Sequence, residues 1–438
     1  MGQMNDDITL QNFEGQGELR CRHGTTWKCL FSIYRLLNGR LQVLIGFDSE
    51  KRAFSKLRKS LENCEPFSIE GESEDGVRIS ASKIHVTRSL ISSEQFIGYA
   101  QDVSRHPTQN VASNPNTLNL ELVNFRLYQR LLPVRVRLDK WDVEIYRIGR
   151  TNRSKMEEHG VAYRHPILST GLQIRDIPNV DEAREASQII LELLSLAQRG
   201  YVFAAVEHVY DAEDKWLSSK FNEPPFSNLG WGRPLIPTES LDDFLVTAFP
   251  SIRREFYGLE LAHTIDHYLQ SLTLRSVWPM SLGIFTAMET LKSAFYTVYE
   301  HENLQFQYWI VPRQEYEESK ELIDKLIGVL CSHFPRFCSL NKAERDSFKT
   351  QLKNLNRRSY KTQLRRMLEQ IGVTYNKKEL QPFINMRNAL IHQGHLDDTK
   401  DSQQIYKAIG LFERLLLAIL GYTGPCELFD ANVWLENW

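Results

Sequence analysis

Residues Ile177 to Gly200 read IPNVDEAREASQIILELLSLAQRG, and the chain changes character across them. Ile177-Pro178-Asn179 closes a long series of short apolar segments. The residues that follow carry apolar side chains at helical spacing and open the first clear amphipathic helix. Asp181 and Glu182 put negative charge at the positive end of its dipole, and Gly200 supplies a stop.

Everything before that point reads as β. ITLQNF (from Ile8), WKCLFSIYRLL (from Trp27), LQVLIGF (from Leu41), VRISASKIHV (from Val77), LNLELVNFRLY (from Leu118), PVRVRL (from Pro133) and DVEIYRI (from Asp142) alternate or run apolar. Turn pairs such as Asn38-Gly39, Asp75-Gly76 and Asn114-Pro115 separate them. Many short strands without long helices between them predict a sandwich or barrel-like module, interrupted by one helix over Lys51 to Asn63.

After the first helix, YVFAAVEHVY (201–210) is a candidate further strand, and the Pro/Gly-rich NEPPFSNLGWGRPLIP (222–237) is a loop. From Glu239 onward the pattern is helical, with breaks near Pro279, Pro312, Pro335 and Gly372. The expected class is therefore α+β, with a β-rich, sandwich-like amino-terminal domain and an all-α carboxy-terminal bundle. The expected division is 1–178, a connecting region 179–250, and 251–438.

The chain has 438 residues, too many for one ordinary core, and 42% hydrophobic with 25% charged residues is a globular composition. The six cysteines show no CxxC pair or metal-finger spacing, and no signal peptide or myristoylation signal opens the chain, which fits reduced thiols in a cytoplasmic protein. No run reaches the roughly 18 apolar residues of a membrane span; LLLAIL at 415–420 is a core helix. The formal net charge of −2 hides an asymmetry. From Asn341 to Lys378 there are eleven Lys and Arg against three acids, a net of +8. That segment is either a solvated helix face or a phosphate-binding flank, with Arg357, Arg358, Lys361, Arg365 and Arg366 at its centre.

The string with most chemistry is FINMRNALIHQGHL (383–396). Arg387 and Asn388 adjoin, and Asn388 and His392 lie four apart on one helix face. Gly394 follows where a helix ends, which places His392 in the last turn, where exposed carbonyls favour the imidazolium. Arg followed after four to six residues by His is common, and Arg78–His85 and Arg153–His159 also fit. Arg-Asn with His four residues on arises by chance in about one chain in fifty.

RNALIH resembles the RNxxxH signature of the HEPN superfamily, helical domains that are often metal-independent ribonucleases. LNRRSYKTQLRRMLEQIGV (355–373), the RNALIH helix and LFERLLLAILGYTG (411–424) are similar, in that order, to the carboxy-terminal half of ApeA-like antiphage proteins. The resemblance implies an endoribonuclease of abortive infection without a cofactor, cutting RNA at a composite site built by a homodimer of HEPN domains. It implies Arg387, Asn388 and His392 as catalytic residues, and an amino-terminal domain that responds to a phage-derived trigger. A HEPN-like module that dimerises and holds RNA or a partner without cutting is the alternative. In a purely structural arrangement Arg387 pairs with a carboxylate such as Glu289 and His392 caps the helix. A metal centre at His263 and His267, four apart with Glu260 nearby, is a third reading; the spacing lacks the Glu that a zinc protease places after its first His.

Overall fold

A computed structural model describes residues 9–22, 24–36, 40–47, 66–90, 95–108, 113–125, 127, 132–148, 168–223, 233–255, 258–274, 276–299, 358–393 and 398–429, with single positions between 325 and 347. The helix expected over 51–63 lies outside them, as do the breaks at Pro312 and Pro335. The chain forms two compact units, one of residues 1–250 with 424–427 and the other of residues 251–423 with 428–438. The fold is α+β, β-rich first and helical last.

Among the described residues the first unit holds a single antiparallel sheet of thirteen strands, β1 (Thr9–Arg20), β2 (Thr26–Leu36), β3 (Leu41–Gly46), β4 (Phe67–Glu72), β5 (Val77–Leu90), β6 (Gln95–Ala100), β7 (Asp102–Pro107), β8 (Pro115–Val123), β9 (Val134–Leu138), β10 (Trp141–Arg147), β11 (Leu168–Arg175), β12 (Phe203–Asp211) and β13 (Trp216–Asn222). Their order is β4-β1-β2-β3-β6-β5-β7-β13-β12-β8-β11-β10-β9, and a further pairing of β4 with β5 closes the first six into a barrel. The long strand β5 belongs to both parts: Val77 to Ser82 pair with β7, and His85 to Leu90 pair with β6. Lys83, with φ 48°, inserts a bulge that shifts the inward positions from Val77, Ile79 and Ala81 to Ile84. Residues 203–222, expected within a connecting region, instead complete the sheet, because β12 pairs with β8 and β13 with β7.

Barrel closure brings β1 and β4 unusually close. A Cβ on Gly71 would overlap the Gln16 carbonyl and the Phe31 ring, and one on Gly17 would overlap the backbone of β4. The interior is apolar, with Phe13, Phe31, Ile33, Val43, Ile69, Ile79, Phe96 and Phe221 buried. Helix α1 (Val180–Gln198) packs on β8 and β12. Asn179 caps it through a 2.8 Å bond from the Asp181 amide, and Arg184 Nε donates to Glu207 at 2.9 Å. The residue with positive φ at its end is Arg199, not Gly200 (φ 54°). The buried Arg199 guanidinium uses that turn to donate to the carbonyls of Arg233, Pro234 and Glu427, tying down two returning segments.

Helix α2 (Leu241–Glu255) carries the division between the units at Pro250. The second unit adds α3 (Leu261–Thr273), α4 (Val277–Tyr299), α5 (Tyr360–Ile371), α6 (Lys377–Gln393) and α7 (Asp398–Ile419). Pro279 does not break a helix: it lies in the first turn of α4, where a missing amide hydrogen costs nothing. Gly372, at φ 82°, ends α5 with Val373 N–H bonded to Leu368 O. At the centre Glu413 is fully buried, accepting from Tyr268 Oη at 2.6 Å and from the Phe429 amide at 2.9 Å. One carboxylate thus joins α3, α7 and the tail. No helix among the described residues is long and apolar enough to cross a membrane.

Gly71→Ala should lower unfolding stability by about 1–3 kcal/mol through overpacking at the seam. Gly46→Ala, whose new methyl meets nothing closer than 4.0 Å, should be nearly neutral. Urea melts of the two variants check this, and equal midpoints would remove the glycine seam as a constraint.

Candidate active site

Helix α6 presents Arg387 and Asn388 near its end, with His392 one turn further on in its last turn. It is anchored by Leu380, Phe383, Ile384, Met386 and Leu390, which are buried, and Phe383 meets Phe285 of α4 edge-on at 4.9 Å. That contact aligns Glu289, one turn along α4, with Arg387, one turn along α6.

Arg387 Nη2 donates to Glu289 Oε1 at 2.8 Å, and its Nη1 makes a long 3.4 Å bond to Asn388 Oδ1. The other carboxylate oxygen of Glu289 takes Lys292 Nζ at 2.8 Å. Both cations lie over the Tyr360 ring, Arg387 at 4.4 Å from its centroid and Lys292 at 4.6 Å. Side-chain exposure rises from 9% at Lys292 through 22% at Arg387 to 36% at Glu289, so the carboxylate is on the solvent side. Arg387 Nε and Tyr360 Oη are buried without a hydrogen-bond partner among the described residues. Burial, then the Glu289 charge, push the Tyr360 phenol far above its ordinary value against the pull of Arg387. Tyr360 is therefore a neutral ring supporting two cations.

The expected pairing of Arg387 with Glu289 is present. Lys292 and Tyr360 were not expected; the spacing Glu289-x-x-Lys292 is their only trace in the sequence. Of the basic flank, Arg357 lies outside the described residues. Lys361 donates to Gln381 and Arg365 reaches Glu369 at 3.5 Å, both on the exposed surface. Arg358 titrates below the usual guanidinium range, through burial and then the charge of Arg366, so these two cations act on one another. Ile391, inside the motif, stands 55% exposed.

At the metal reading's residues, His263 is exposed with Glu260 Oε2 at 3.7 Å. Among the described residues no three His, Cys, Asp or Glu side chains assemble to hold a metal ion.

The β-rich unit holds a second polar cluster that the sequence left unassigned. Arg35, at an inward barrel position between apolar neighbours, pairs with Glu121 of β8 at 2.9 Å. His208 Nε2 lies 3.8 Å from the same carboxylate, and its Nδ1 is 2.7 Å from Ser219 Oγ. Trp216 Nε1 donates to that hydroxyl at 2.7 Å. Burial pushes the Glu121 carboxyl up, but His208 and Arg35 more than offset it and hold it below the ordinary value.

No family model matches the chain, and no curated protein matches it.

Tyr360→Phe keeps the ring and removes an unpartnered hydroxyl, so stability should hold or rise by up to about 1 kcal/mol, whereas Tyr360→Leu should lose about 1–2 kcal/mol. Denaturant midpoints decide it. In the β-rich unit, the depressed folded-state value of Glu121 means its contribution is present above the unfolded glutamate pKa, about 4.3, and is lost as pH falls through the folded value. Wild type should therefore outlast Glu121→Gln in thermal melts at pH 7, with the gap closing below about pH 4; a gap independent of pH would contradict this.

Proposed function

We propose that this protein is a metal-independent endoribonuclease of the HEPN type, acting in antiphage abortive infection in the cytoplasm. The observation that carries the reading is the Arg387–Asn388 pair, half-buried on a firmly packed helix whose last turn contains His392. The ApeA-like resemblance of the surrounding helices supports it.

The chemistry asks little of such a site. A base takes the proton of a ribose 2′-hydroxyl, and its oxygen attacks the adjacent phosphorus. The bond to the 5′-oxygen breaks and an acid protonates that oxygen, leaving a 2′,3′-cyclic phosphate and a 5′-hydroxyl. His392 serves as base or acid. Arg387 stabilises the extra charge on the phosphorane with a planar fork suited to phosphate oxygens. Asn388 orients the imidazole or holds a phosphate oxygen. One chain supplies one such histidine, so the reading requires a two-fold dimer in which two α6 ends meet. The exposed Ile391 supports an isologous contact there. Arg358, Lys361, Arg365 and Arg366 would follow the RNA backbone, and the β-rich unit would receive the phage-derived trigger.

The engagement of Arg387 by Glu289 favours a second reading, a HEPN-like module that dimerises and binds RNA or a partner without cutting. Cleavage separates the two. Wild type, incubated with total cellular RNA in EDTA and in infected-cell extract, should yield fragments with cyclic phosphate ends. His392→Ala and Arg387→Ala should lower that rate at least about 100-fold with the fold intact. Full activity in His392→Ala would end the nuclease mechanism.

A further inference from the structure

The functional reading leaves Glu289, Lys292 and Tyr360 without a task, yet with Arg387 they form a closely built polar cluster. One carboxylate is shared by two cations, each bonded to a different oxygen at 2.8 Å. The three side chains together sum to a net charge of +1. Lys292 is almost wholly buried and Arg387 mostly so, which makes an unneutralised pair of them costly. Their positions do not depend on the carboxylate alone, because the Tyr360 ring lies under both. The acid is also the most exposed of the three, so a side-chain rotation takes it into solvent without moving a helix.

We propose that Glu289 is a built-in stand-in for the substrate phosphate. Its carboxylate fills an anion clamp made by Arg387 and Lys292 on the Tyr360 ring, and RNA binding exchanges that carboxylate for a phosphodiester. This rests on the nuclease reading, and adds to it a second phosphate-binding residue, Lys292, and a restraint internal to the site. Without RNA the Arg387 fork is occupied, so a stray anion or a poorly placed strand must compete with a tethered carboxylate at high effective concentration. A strand that also engages the basic flank offsets that competition.

The full chain with His392→Ala, which leaves RNA uncut, is compared with the double variant His392→Ala/Glu289→Gln using a fluorescein-labelled single-stranded RNA. The double variant should bind roughly tenfold tighter, and its affinity should fall more steeply with salt, by about 0.7 in the logarithmic slope for one more uncompensated phosphate contact. Adding Lys292→Met should abolish the gain. Without RNA, Glu289→Gln should melt at a lower temperature than wild type, and inorganic phosphate should restore it while leaving wild type unmoved. That arm keeps the clamp testable apart from the nuclease. Stabilisation of Glu289→Gln by phosphate without any RNA binding would overturn the ribonuclease reading and retain the clamp. RNA binding that is unchanged or weaker in the double variant, with no phosphate effect, would overturn the clamp and leave Glu289 as a plain positioning group for Arg387.

Discussion

A strand inside a closed barrel must hydrogen-bond on both edges, and β4, six residues long, is the strand that makes this barrel close. It pairs with β1 on one side and β5 on the other. Without it the other five barrel strands would be one more stretch of open sheet with an exposed apolar face. Closure is sterically expensive, since Gly17 and Gly71 face each other where neither can carry a side chain. Inside the apolar cluster Phe13 meets Phe221 of β13 at 5.0 Å, and Phe221 in turn carries the His208 ring at 6.1 Å and the Arg35 guanidinium at 5.9 Å. The polar cluster thus borders an apolar interior. Its ion pair is tolerated there because Glu121, mostly buried, meets two partners.

The helical unit uses carboxylates differently at two depths. Glu413 is entirely buried and bonded to a phenol and a backbone amide, an arrangement that fixes structure. Glu289 is at the surface end of its cluster and faces two cations. A fully buried carboxylate has nowhere to go, whereas a half-exposed one between cations can be replaced by another anion. Burial and partner chemistry together separate a structural acid from one suited to exchange.

The strands legible in the sequence were those that alternate or run apolar, β1, β2, β3, β5, β8, β9, β10 and, as a candidate, β12. Those passed over had physical reasons to be faint. β4 is FSIEGE, with a glycine the seam demands; β7 is DVSRHP, with polar residues at most positions; β11 contains Gly171, whose missing side chain makes room for the Tyr146 ring. Pro279 was misleading because proline is compatible with the first turn of a helix. At the candidate site, the spacing of Arg387, Asn388 and His392 was visible because it is local to one helix. Tyr360 and Lys292 come from elements 27 and 95 residues away, and no local pattern announces a ring placed under two cations.

The double membership of β5 makes the barrel and the open sheet a single inheritance. Its first half pairs with β7, which continues through β13 into the sheet, and its second half pairs with β6 inside the barrel. The first half also pairs with β4 along its other edge, so a register slip there would turn inward residues outward in the barrel and the open sheet together. The barrel therefore cannot be lifted out as a cassette, nor the sheet exchanged beneath it. Evolution, like a protein engineer, can recombine this module only whole, with β12 and β13 included although they follow the first helix in the chain.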